Sequence, residues 1–145
     1  MTHRATIAAV RAAENPKYET DYAQNPWRVR KLYYTAWARS DMLRLWRTLK
    51  FFGRKTPLDN PEINVNKIGT PDGEITTRVD IRQFLRQKRK ALYSHRSQMG
   101  VWGIKTSWWW VMGLAGRWFF SHESFVCVRT DVEIPVPETD LFAGF

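Results

Sequence analysis

Apolar residues return every three or four positions along Asp80 to Gln98, DIRQFLRQKRKALYSHRSQ. Ile81, Phe84, Leu85, Ala91 and Leu92 fall on one stripe, and that spacing predicts a long amphipathic helix. The stripe continues to His95. Arg82, Arg86, Arg89, Lys90 and Arg96 mostly lie off it, which predicts a basic, solvated opposite face. Asp80 is suited to cap the first free amides, no Gly or Pro interrupts the run, and Gly100 lies just beyond it. A single histidine on an apolar face is ordinarily a core residue with a hydrogen-bond partner; a catalytic or ligand role is the alternative.

The same pattern predicts two further helices. Met1 to Ala13, MTHRATIAAVRAA, is alanine-rich, and Asn15-Pro16 ends it because the residue before proline avoids helical geometry. Trp37 to Phe52 spaces Leu43, Trp46 and Leu49 at helical intervals, with Arg39, Arg44 and Arg47 on other faces. Period-two runs rich in β-branched and aromatic residues predict strands at Val29 to Thr35, Glu74 to Val79 and Glu123 to Thr130. In the last of these, Phe125, Cys127 and Arg129 alternate with Val126 and Val128. Tyr18 to Asn25 is polar and loop-like. Gly53 to Gly73, with three prolines and three asparagines, predicts a long surface loop that could serve as a lid. Trp108-Trp109-Trp110 and Phe119-Phe120 are apolar on every side and predict a segment buried or covered by a partner.

Composition narrows the reading. A chain of 145 residues predicts one domain. The net charge of +9 permits nucleic acid, anionic lipid or acidic partners without requiring one, because the basic residues are dispersed. Eight tryptophans are a heavy load and point to core or interface surface. The single cysteine, Cys127, cannot close an internal disulfide and fits a reducing cytoplasm. No apolar run is long enough to span a bilayer. Neither a phosphate-cradling glycine loop nor a His-Glu-x-x-His helix is present. His3, His95 and His122 are far apart in sequence, and their spacing gives no argument for a shared metal. Ser121-His122-Glu123-Ser124 could support nucleophile chemistry or simply begin a strand.

Several segments carry a resemblance. KRKALYSHRSQ resembles the Lys-Arg-x-Ala-Leu-x-x-His-x-Ser/Thr-Gln stretch of the LmbE-like (PIG-L) deacetylases, zinc-dependent hydrolases that remove acyl groups from amino sugars and related amides. THRATIAAVRAA resembles the helix after that family's His-Pro-Asp-His motif. Pro26-Trp27 with Lys31-Leu32-Tyr33-Tyr34, then Thr76-Thr77-Arg78-Val79-Asp80, follow in the family's order. Glu138-Thr139-Asp140-Leu141-Phe142-Ala143-Gly144-Phe145 resembles the ending of the mycothiol-linked members. The resemblance implies an α/β fold: the C-terminal part of a Rossmann-like layer, with about three helices, a few strands and a long loop. Residues 1–145 would form a single partial domain, leaving a parallel-sheet edge and helix faces uncovered. His95 and Gln98 would stand near the substrate pocket.

The departures matter as much. The family's zinc ligands and general base come from His-Pro-Asp motifs, and this sequence has none. In one register His3 aligns with the last zinc ligand, with Thr2 where Asp should be. In the register preferred here His3 falls one turn later, and every ligand and the base are missing. Zinc would then not be bound by this chain alone, and the chain alone would be inactive, since nothing would polarise an amide carbonyl or activate water. The implied partners are the N-terminal half of the same enzyme or an intact family member, with an amino-sugar or thiol-conjugate substrate in the full enzyme, and neither nucleic acid nor a membrane span. A different class remains open: a small basic, aromatic-rich module for nucleic acid or anionic membrane.

Overall fold

The computed structural model describes residues 2–18, 25–94 and 119–145. Three helices, α1 (Thr2–Glu14), α2 (Arg39–Phe51) and α3 (Leu85–Ser94), accompany three strands, β1 (Lys31–Ala36), β2 (Thr77–Asp80) and β3 (His122–Thr130). The mixed α/β class expected from the sequence holds. The sheet has the order β1-β3-β2 with both pairings antiparallel, so the last strand is central. The parallel edge implied by the resemblance is not part of this sheet. Among the described residues the parallel contacts are isolated bridges, Ala38 with Thr70 and Thr77 with Glu138.

β1 and β3 pair from Lys31 opposite Thr130 to Ala36 opposite Ser124, with a shift between Leu32 and Tyr33. Leu32 faces Arg129 and Tyr33 faces Cys127, leaving Val128 as an extra residue in β3. Such a bulge breaks the two-residue alternation, so the single face expected for Phe125, Cys127 and Arg129 does not continue through it. Arg129 instead reaches α1, where its Nη1 donates to Glu14 Oε1 at 2.6 Å. Glu14 also accepts from the Val29 amide at 3.1 Å, and the Trp27 amide donates to the Ala13 carbonyl at 2.8 Å. The end of α1 is thereby fixed beside the entrance to β1.

α2 has no cap from Ala38. Asp72 supplies one from the loop: Oδ2 accepts from the Ser40 amide at 3.1 Å, and Oδ1 accepts from the Ser40 hydroxyl. The loop expected between Gly53 and Gly73 is built of 3₁₀ turns at Pro57–Asp59, Val65–Lys67 and Asp72–Glu74. It is pinned to α2 through Arg39 N to Thr70 O (2.9 Å), Thr70 N to Trp37 O (2.8 Å) and Arg39 Nε to Ile68 O (3.0 Å). Gly69 makes the approach possible. Its φ is +66°, and a Cβ there would lie 2.9 Å from the Trp37 carbonyl oxygen.

The third helix starts later than its pattern predicts. Asp80 is the last residue of β2, Arg82–Phe84 form a 3₁₀ turn, and α3 begins at Leu85. Asp80 therefore does not cap α3. Its carboxylate accepts from the Arg82 amide at 2.9 Å and from Arg82 Nε at 2.8 and 3.0 Å. Pairing with β3 holds Asp80 in extended geometry, and tertiary pairing overrides the local cap preference. The core is slight: among the described residues the buried hydrophobic side chains are Ala36, Ala38, Ile75 and Ile81.

Candidate functional site

The resemblance singles out Lys31-Leu32-Tyr33-Tyr34 and the stretch from Glu138 to Phe145, and the fold brings them together. Alternation along β1 puts Lys31 and Tyr33 on one face. Glu138 lies beyond the far edge of the sheet, where its amide donates to Thr76 O and its carbonyl accepts from Arg78 N, both at 2.9 Å. Its side chain then crosses the face of β3. Oε1 accepts from Lys31 Nζ at 2.6 Å, and Oε2 accepts from Tyr33 Oη at 2.6 Å and Thr77 Oγ1 at 2.8 Å. One carboxylate thus joins both outer strands across the central one.

This node is dry and complete. Glu138 and Thr77 are 0 % exposed. Lys31 Nζ also donates to the carbonyls of Leu141 (3.2 Å) and Ala143 (2.6 Å), so three acceptors match its three protons. The rings of Tyr33 and Phe145 lie 5.8 and 5.4 Å from it. Burial alone would raise the Glu138 carboxyl, but hydrogen bonds from Lys31, Tyr33 and Thr77 outweigh it and hold the group below the ordinary glutamate range. Burial and the neighbouring Glu138 charge raise the Tyr33 hydroxyl well above its ordinary range. The Lys31 ammonium and the Tyr33 hydroxyl both act as donors within the node, with their hydrogen bonds directed at Glu138 and the Leu141 and Ala143 carbonyls. The node clasps the last eight residues onto the sheet.

The other polar cluster lies where β2 gives way to α3. Asp80 faces His122 in the β2–β3 register, and Ser121 Oγ lies 2.8 Å from His122 Nδ1. A serine, a histidine and an aspartate are therefore neighbours. They do not form a relay: both Asp80 carboxylate oxygens are bonded to Arg82, and among the described residues no hydrogen bond joins Asp80 to His122. Nearby, Lys88 on α3 pairs with Glu123 at 3.1 Å and ties that helix to β3.

Of the predicted site residues His3, His95 and Gln98, His3 alone falls among the described residues. His3 lies on α1, exposed, with its ring edge-on to Tyr34 at 4.7 Å between centroids. His122 is exposed at the start of β3, as its strand reading expected. His95, Gln98 and the Trp108–Trp110 run lie outside the described residues. Among the described residues, no group of three or more His, Cys, Asp or Glu side chains could hold a metal ion. The zinc implied by the resemblance finds no fitting donor set among them, and no chemical step is derived through it. Sequence reading missed the Glu138 node as a unit. Its available signal was a lysine heading a strand that carries two tyrosines, and a glutamate three residues before the apolar Leu141-Phe142.

No family model matches the chain, and no solved structure matches it. Curated relatives do. The chain is 31 % identical over 149 residues to 1D-myo-inositol 2-acetamido-2-deoxy-alpha-D-glucopyranoside deacetylase 1 of Frankia alni, a match covering 98 % of the chain and 50 % of the relative. It is 32 % identical over 151 residues to the deacetylase of that name from Rhodococcus opacus, covering 99 % of the chain and 48 % of the relative. With the counterpart from Thermomonospora curvata the identity is 33 % over 102 residues, or 70 % of the chain. The chain spans about half the length of the curated relatives it matches. By sequence it belongs to the LmbE-like (PIG-L) deacetylase family, as a partial member.

Proposed function

We propose that this chain is the C-terminal portion of a zinc-dependent N-deacetylase that hydrolyses the acetamide of an amino-sugar conjugate, and that residues 1–145 form one partial domain. The observation that carries the reading is similarity across 98 % of the chain to a deacetylase twice as long. The fold gives it independent support. The core is small, while Trp27, Trp37 and Phe142 are each exposed by 65 % or more. Large apolar side chains left in water on this scale suit surface that another protein segment covers.

On this reading the sheet, clasped through Glu138, is a wall of the substrate pocket. α3 leads toward His95 and Gln98, which would stand near the site. Zinc, held by the complementary half, would polarise the amide carbonyl and activate water. The chain alone would hold no stoichiometric zinc and hydrolyse no N-acetyl amino sugar.

The test is co-expression of the untagged chain with a tagged version of the portion of the Frankia alni relative that it does not match. Stable co-purification is expected, as is zinc bound only in the complex. One tightly held zinc per isolated chain would overturn the reading and restore the register in which His3 is a ligand.

A further inference from the structure

Helix α2 presents Arg44, Arg47 and Phe51 at i, i+3 and i+7, all exposed, so the three share its outward stripe. The stripe ends on an aromatic tip. Phe51 is 85 % exposed and Phe52 72 %, and their rings meet edge to face with centroids 5.5 Å apart. Gly53, at φ +70°, turns the chain directly afterwards, and the Arg54 amide returns to the Leu49 carbonyl at 3.0 Å. Arg54 and Lys55 are thereby brought back beside the tip. With Lys50, Gly53 and Asp59 they line an open hollow of about 480 Å³.

The charges here are unevenly compensated. Lys50 is paired with Asp59 at 2.6 Å, and Arg44 with Asp41 at 3.6 Å. Among the described residues, no carboxylate lies within 4.0 Å of Arg47, Arg54 or Lys55. A contiguous pair of exposed phenylalanines, unlike a single exposed apolar residue, calls for an occupant. The surrounding cations indicate which kind. An apolar protein surface would have to desolvate three charges without partners. At an anionic bilayer the rings can enter the acyl boundary while the long basic side chains remain at the phosphates. A nucleic acid fits less well, because its bases stack on open ring faces and its backbone is followed by a line of cations. Here the rings stand edge-on to each other and the cations cluster around one helix end.

We propose that the tip of α2, Phe51 and Phe52 flanked by Arg47, Arg54 and Lys55, docks on the surface of an anionic lipid bilayer. This is surface attachment and not insertion across the membrane; no described helix is long and apolar enough to cross one. The inference does not rest on the deacetylase reading.

The experiment is co-sedimentation of the full chain with phosphatidylcholine vesicles containing either no anionic lipid or about 30 % phosphatidylserine. Binding is expected only to the anionic vesicles and should largely disappear at about 0.5 M salt. Each basic side chain near such a surface is worth about fivefold in affinity, so Arg47→Ala/Arg54→Ala/Lys55→Ala should bind roughly 100-fold more weakly. Phe51→Ser/Phe52→Ser should bind at least about tenfold more weakly. All five positions are exposed, and circular dichroism unchanged from the parent chain verifies the fold. Equal binding to both vesicle types, no binding to either, or either variant binding like the parent would overturn the proposal. So would Phe-dependent self-association, or tighter binding to a single-stranded oligonucleotide than to anionic vesicles.

Discussion

Replacing Lys31 with methionine isolates the clasp that holds the end of the chain to the sheet. The substitution keeps most of the aliphatic volume but removes a charge whose side chain is 4 % exposed and lies 2.6 Å from a carboxylate that is 0 % exposed. Glu138 would retain Tyr33 and Thr77 as donors, while the Leu141 and Ala143 carbonyls lose theirs. Stranding one member of a buried pair costs roughly 3–5 kcal/mol. In a domain of this size that lowers the melting temperature by on the order of 10 °C. Glu138→Gln should cost less, because the ammonium keeps two carbonyls and two aromatic rings. Removing both charges together removes the stranded ion, so the double-mutant cycle should show a coupling energy of about 2 kcal/mol. Urea unfolding followed by circular dichroism measures all four corners. Single variants that each cost less than about 1 kcal/mol, or an additive cycle, would refute the reasoning. The pH dependence adds a sign. A carboxyl held below its ordinary value contributes stability that is complete above that value and is lost as pH falls through the folded one. The gap between the parent chain and Glu138→Gln should therefore be flat above about pH 5 and close progressively below about pH 4.3.

Two further substitutions test how the loop before β2 is fixed. Gly69→Ala places a Cβ 2.9 Å from the Trp37 carbonyl oxygen and 3.0 Å from Met42 Sδ, at positive φ. It should destabilise the chain by roughly 1–3 kcal/mol in urea unfolding, whereas Gly73→Ala, with nothing within 4 Å, should be close to neutral. Asp72→Ala removes the carboxylate that caps the first turn of α2 through Ser40, together with one carboxylate beside Arg78. It should cost about 1 kcal/mol and lower the helical circular dichroism signal.

Periodicity located the three helices because each has an apolar stripe that local spacing reveals. It misplaced the start of α3, since the competing demand on Asp80 comes from β3, more than forty residues later in the chain. The strands were legible from their β-branched and aromatic residues, but their antiparallel order was not, because nothing local in residues 122–130 says that this segment enters between the other two. The bulge at Val128 was hidden for the same reason: it is a property of the pairing with β1. The Glu138 node lay half in view. Both of its segments were recognisable, yet joining them required knowing that a side chain 107 positions from Lys31 crosses the sheet. Of the histidines, the fold separates His3 from His122 and gives each a local neighbour, Tyr34 and Ser121.

The central claim, that this chain completes a deacetylase whose metal-holding part lies elsewhere, is tested most directly by acetate release. The chain, the portion of the Rhodococcus opacus relative that it does not match, and an equimolar mixture with zinc are each given the N-acetylglucosaminyl inositol that the relatives' name specifies. The account predicts hydrolysis in the mixture and none from either part alone. Hydrolysis by the 145-residue chain alone, undiminished when the second part is omitted, would contradict it.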